Sequence, residues 1–170
     1  PNINSKFQKN YKTFPKSLAK TKSYYNETKS LKSFEIKEFS FLYILLTKPK
    51  LINQNFHLIE NVKLFTNENK TLFEALVKQS NNFTEFNLEN FDIDKSLIER
   101  VFKFSSIKNI WDKNSNDDEK IASILGEILR DLKNYELELR IQDLEEKFSK
   151  DLSEDTFNEL KELKKMQNLN

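Results

Sequence analysis

The sequence predicts an all-α fold: a helical bundle, then a long helix leading into a C-terminal antiparallel helical hairpin. Three observations predict it. There is 1 Gly and there are 3 Pro in 170 residues, against average usage of roughly 7% and 5%. Turns that need positive φ draw on glycine, so this composition argues against a sandwich or barrel of many tight turns. Apolar residues recur at steps of three and four, which is one face of a helix. No proline interrupts residues 116–150.

The same scarcity removes function classes. Dinucleotide fingerprints and P-loops need several glycines at fixed spacing. With no cysteine, disulfide frameworks and thiolate metal sites are excluded. The longest apolar run, Phe39 to Leu46, is broken by Ser40 and falls far short of the roughly 18 residues of a membrane span. No membrane partner is expected. The chain shows no signal-peptide pattern, opens on Pro1, and reads as a fragment of something longer.

The net charge of +1 conceals an asymmetry. Residues 1–33 hold eight lysines against Glu27 alone, a net +7, which leaves −6 for residues 34–170. Lysine outnumbers arginine 25 to 3, with abundant Asn and Phe. That pattern resembles the codon bias of an AT-rich genome, so the lysine excess carries little functional weight. The 1–33 stretch has no helical stripe. Low hydrophobicity with high net charge leaves too little apolar surface to offset chain entropy, so it reads as a basic flexible linker. A second reading is an arm in weak contact with nucleic acid, its scattered Phe and Tyr side chains stacking on bases.

From residue 34 helices follow one another. Ile36, Phe39, Tyr43 and Leu46 form one face, and Phe41, Leu42 and Leu45 fill the others, which predicts a central buried helix over 35–47. Pro49 ends it. A second helix is expected over 55–65 with Phe56, Ile59, Val62 and Leu64. A third starts at Thr66 or Asn67 and carries Leu72, Phe73, Leu76 and Val77. Residues 83–91 suggest a short helix. Asp94 is a good N-cap for a helix with Leu97, Ile98, Val101 and Phe102. Residues 113–116 read as loop.

The acids at Asp117, Asp118 and Glu119 open a helix of about 33 residues, about 50 Å long. Ile121, Leu125, Ile128, Leu132, Tyr135 and Leu139 form one seam. Leu137, Ile141, Leu144 and Phe148 form a second. Tyr135 and Leu137 are two residues apart, about 200° around the axis, so the seams face nearly opposite sides. The first packs on the bundle, over 34–135. The second belongs to a hairpin over 136–170, closed by the loop Lys150-Asp-Leu-Ser153 and a last helix with Phe157, Leu160, Leu163 and Met166. A short loop makes antiparallel neighbours. An exposed hairpin with spare apolar surface suits helix packing against a partner. The residues proposed to bind that partner are Leu152, Phe157, Leu160, Lys161, Lys164, Lys165, Met166 and Leu169.

No catalytic, cofactor-binding or metal-ligating constellation emerges. His57 is the only histidine, and with no cysteine a zinc site lacks ligands. Asp92 and Asp94 are an acidic pair of the kind that holds Mg²⁺, but the pair leads into a helix and reads as capping. Gly126 inside the long helix costs about 1 kcal/mol relative to alanine. A bulky neighbour such as Trp111 approaching closely is the expected reason.

The stretch Glu38-Phe-Ser-Phe-Leu-Tyr-Ile-Leu-Leu-Thr-Lys-Pro-Lys-Leu51 resembles the first helix of the helicase-binding domain of bacterial DNA primases, the DnaG family. Asn69-Lys-Thr-Leu-Phe-Glu-Ala-Leu76 is similar to that family's next helix. Leu137-Glu-Leu-Arg-Ile-Gln-Asp-Leu-Glu-Glu-Lys147 and residues 160–169 resemble its terminal hairpin. The resemblance covers 34–170. It implies a non-catalytic docking module of a DNA-directed RNA polymerase, acting in the bacterial cytoplasm. Its partner would be the N-terminal domain of the hexameric DnaB-type helicase, and it would recruit primer synthesis to the replication fork. Zinc and Mg²⁺ would belong only to domains upstream. The alternatives are a basic-armed nucleic-acid-binding protein and the N-terminal domain of the helicase itself, whose bundle is similar.

Overall fold

Nine consecutive residues, Glu38 to Leu46, are buried, and they lie on the helix around which the other elements are arranged. The computed structural model describes residues 19–80, 94–108, 110–111 and 117–169. Among the described residues there are eight helices and no strand, so the fold is all-α. The expected short helix at 83–91, the loop at 113–116, Asp92 and the first 18 residues lie outside the described residues. The chain divides into two units, one ending at Leu31 and one beginning at Lys32.

The first unit holds α1, Ala19–Lys29. This helix lies within the 1–33 segment read as a basic flexible linker, where no helix was expected. The helix forms without an apolar stripe. No Gly or Pro interrupts the segment, and Thr28 Oγ1 donates to the Tyr24 and Tyr25 carbonyls at 2.9 and 3.1 Å. The helix ends where Ser30 Oγ donates to the Glu27 carbonyl at 2.7 Å. Tyr24 and Tyr25 are exposed.

The second unit begins with α2, Ser33–Thr47. Glu35 accepts the Lys32 N–H at 2.7 Å, satisfying an orphan donor of the first turn. Pro49 follows, and the Lys48 N–H closes the last turn on the Ile44 carbonyl at 2.8 Å. Of the expected helix over 55–65 only α4, Phe56–Ile59, is helical, and a further short helix, α3 Lys50–Gln54, precedes it. Asn55 breaks them, with φ −119° and ψ 24°, and its side-chain amide donates to the Leu51 carbonyl at 3.1 Å. The chain then runs irregularly to α5, Asn67–Ser80. Leu51, Ile52, Ile59 and Leu64 are buried, whereas Phe56 is exposed.

α6, Lys95–Phe104, is capped by Asp94, which accepts the Ser96 N–H at 2.9 Å. α7, Asp118–Lys150, is capped by Asp117, which accepts the Lys120 N–H at 3.0 Å. α8, Glu154–Leu169, follows a three-residue turn. The helices α5, α6 and α7 each pack on α2. Rings mark the contacts of α5 and α6: Phe41 lies 5.4 Å from Phe73 and Phe39 6.1 Å from Phe104. Tyr43 also lies 5.6 Å from Trp111, which falls between α6 and α7 in the chain.

α2 and α7 run antiparallel. Lys48 pairs with Asp118 at one end, and Lys37 with Asp131 at 2.9 Å further along. At the other end Tyr135 stacks on Phe34 at 4.7 Å and meets Phe65 edge-on at 4.9 Å. Tyr135 is the last member of this seam. Leu139, expected to extend it, is 36% exposed, because Phe34 and Phe65 already close that end. Gly126 is also corrected. A Cβ there would meet nothing within 4 Å, so no close neighbour accounts for it.

Glu38 is 0% exposed on the apolar helix α2. Its carboxylate accepts from the backbone N–H of Phe65, from that of Thr66 at 3.2 Å, and from the Asn69 side-chain amide at 2.7 Å. It thereby ties α2 to the start of α5, where the helix dipole favours a negative charge. Ser40 does a similar task toward α6: its Oγ donates to the Ile36 carbonyl at 2.9 Å and accepts the Ser106 N–H at 3.0 Å.

Candidate docking surface on the terminal hairpin

The second half of α7 and α8 share a small core of their own. Ile141, Leu144, Leu160 and Leu163 form one buried cluster, with Leu137 packed against it. Phe148 and Phe157 extend the seam toward the turn, their rings 5.8 Å apart. Arg140 pairs with Glu159, and Lys164 with Glu145 at 2.6 Å, so both cross-helix pairs join the same two helices. Their charges are about half exposed, where an ion pair contributes roughly 0–1 kcal/mol. The aliphatic cluster therefore carries most of the hairpin's cohesion.

Some surface charges are also paired within each helix. Lys147 lies 2.6 Å from Asp143, and this hydrogen bond raises its pKa above the ordinary lysine value. Lys165 lies 2.6 Å from Glu162, whose carboxyl it holds below the ordinary glutamate range, with Lys161 adding to the effect.

The proposed partner-binding residues separate into three groups. Leu160 faces the inner seam, 9% exposed, and is not offered to a partner. Leu152, Phe157 and Met166 are 79%, 49% and 54% exposed. Lys161, Lys164 and Lys165 are exposed, but only Lys161 lacks an ion pair among the described residues. Leu169 ends α8, and its side chain lies outside the described residues. Helical geometry sorts the exposed members further. Phe157, Lys161 and Lys164 follow one flank at steps of four and three. Met166, nine residues from Phe157, lies roughly 180° around the axis. The exposed apolar side chains at the turn end are therefore Leu152 and Phe157, the latter with its ring 5.8 Å from that of half-buried Phe148.

The residues weighed for chemistry are placed as structural groups. His57 is exposed on α4. Asp94 and Asp117 are N-caps, and Asp118 pairs with Lys48. Among the described residues no group of three His, Cys, Asp or Glu could hold a metal ion. No described helix is long and apolar enough to cross a membrane. Two features were missed at the level of sequence. One is the buried Glu38, whose signal was an acid inside a helix apolar on every side. The other is a cleft between α4 and α7, which no local pattern announces. Comparison with protein-family models, curated proteins and solved structures finds no match.

Proposed function

We propose that this chain is the helicase-docking domain of a bacterial DNA primase. It binds the N-terminal domain of a hexameric DnaB-type helicase and brings RNA primer synthesis to the replication fork, in the bacterial cytoplasm. Catalysis belongs to polymerase and zinc-binding domains upstream, which hold the Mg²⁺ and zinc. The observation that carries the reading is the hairpin end: Leu152 and Phe157 are exposed at the turn, on a two-helix element with a four-residue core. Apolar side chains held out on a helical element are the usual anchors of a helix-packing interface. The family resemblance over 34–170 supplies the partner.

The test is a titration of helicase N-terminal domain with three forms of the chain: intact, truncated after Lys150, and Leu152→Ala/Phe157→Ala. The double variant leaves Ile141, Leu144, Leu160 and Leu163 in place, so its hairpin stays folded. Truncation should abolish binding. The double variant should weaken it by about 30-fold or more, the loss of two anchors at about 1 kcal/mol or more each. Equal binding by all three forms would move the interface elsewhere and defeat the reading.

A further inference from the structure

An open cleft of about 500 Å³ lies between α4 with its following turn and the middle of α7. One side carries Leu58 and Val62, the other Leu129, Arg130 and Lys133. Leu58 is 50% exposed, and Val62 and Leu129 are half-buried. The cleft thus shows water three aliphatic side chains from two separate elements.

Its charge is one-sided. α7 carries six cations: Lys120, Arg130, Lys133, Arg140, Lys147 and Lys150. Arg140, Lys147 and Lys150 are ion-paired, and Lys120 does not line the cleft. Arg130 and Lys133 are exposed and have no ion pair among the described residues. They stand three residues apart, so they share a helix face. The acid lining the cleft, Glu136, is already engaged by Lys63 from across it. What remains is a cleft in which two cations without an ion pair stand beside exposed aliphatic side chains.

The complement of such a cleft is a segment with aliphatic residues on one side and carboxylates beside them. Single-stranded nucleic acid is a poorer match. Sequence-independent binding uses a track of cations along the backbone and aromatic rings under the bases. Here two such cations share one wall, and no Phe, Tyr or Trp lines the cleft among the described residues.

We propose that this cleft docks an acidic amphipathic segment of a partner protein. Leu58, Val62 and Leu129 take its apolar side chains, and Arg130 and Lys133 take its carboxylates. The site is separate from the hairpin end and does not depend on the helicase reading.

The test uses the full chain and a fluorescent synthetic peptide with leucines at helical spacing and glutamates between them. Two control probes are the same peptide with lysine for glutamate, and an oligothymidylate. The glutamate peptide should bind, and Arg130→Glu/Lys133→Glu should weaken it by about tenfold or more, because the charges then repel. Arg130→Lys should keep most of the affinity. Added salt should lower it in the parent and much less in the double variant. Both substituted side chains are exposed, so unchanged thermal melting will show that the variants fold. Equal affinity of parent and double variant, equal binding of both peptides, or no binding of the glutamate peptide would overturn the proposal. Preference for the oligothymidylate would assign the cleft to nucleic acid instead.

Discussion

Replacing Glu38 with alanine should destabilise the second unit by about 4 kcal/mol. The figure follows from the three donors that the carboxylate satisfies. The Asn69 side chain is fully buried, and leaving its amide without an acceptor costs about 2 kcal/mol. Phe65 and Thr66 are half-buried, so about 1 kcal/mol for each amide is the appropriate share. For a chain of this size each kcal/mol lowers Tm by roughly 3 °C, so the alanine variant should melt about 12 °C lower. Glu38→Gln should cost much less, about 1–2 kcal/mol. It keeps the volume and an acceptor oxygen, but its new NH₂ meets the Asn69 NH₂. Asn69 Oδ1 is buried and has no partner, so turning that amide over gives the substituted side chain an acceptor. Thermal unfolding followed by circular dichroism, with calorimetry for the enthalpy, reads all three proteins. An alanine variant within about 1 kcal/mol of the parent would refute this reasoning. So would a glutamine variant as unstable as the alanine one.

Gly126→Ala should stabilise the protein by about 1 kcal/mol, since the position is mid-helix and the new methyl meets no atom; chemical denaturation measures it, and a loss of stability would mean the site is occupied. Asp94→Asn should remove a pH dependence. The Ser96 hydroxyl, and then its backbone N–H, hold the Asp94 carboxyl below its ordinary value of 3.8. A depressed carboxyl stabilises the fold above that value and loses its contribution as pH falls through the lowered one. Urea titrations of parent and variant across the acid range should converge at the lowest pH, and parallel curves throughout would disprove the effect.

The sequence made the central helix and the long rod legible because their signals are internal to one element. Phe39, Phe41, Leu42 and Leu45 leave no polar face on α2, and such a helix has to be enclosed. Two apolar seams out of phase, with no proline between them, describe α7 and its two packing surfaces. The end of α4 at Ile59 was not legible, because Phe56, Ile59 and Val62 keep helical spacing past it. α1 was missed for the converse reason: local hydrogen bonds hold a helix that has no face to bury. At the hairpin, the inner seam of Leu160 and Leu163 could be read from spacing alone. The separation of Met166 from Phe157 was also available there, since nine residues place two side chains on opposite flanks. The donors around Glu38 could not be found this way, because Phe65 and Asn69 come from 27 and 31 residues away.

α7 belongs to two cores, and it has no joint between them. Tyr135 closes the first core and Leu137 opens the second, with a single residue of unbroken helix in between. The angular offset between the two is therefore a matter of counting, at about 100° and 1.5 Å per residue. One residue inserted at 136 would swing the hairpin's turn end about a quarter of the way around the rod while leaving both cores chemically intact. The direction in which Leu152 and Phe157 point is thus set by helix phase, as the angle of a blade is set on a shaft.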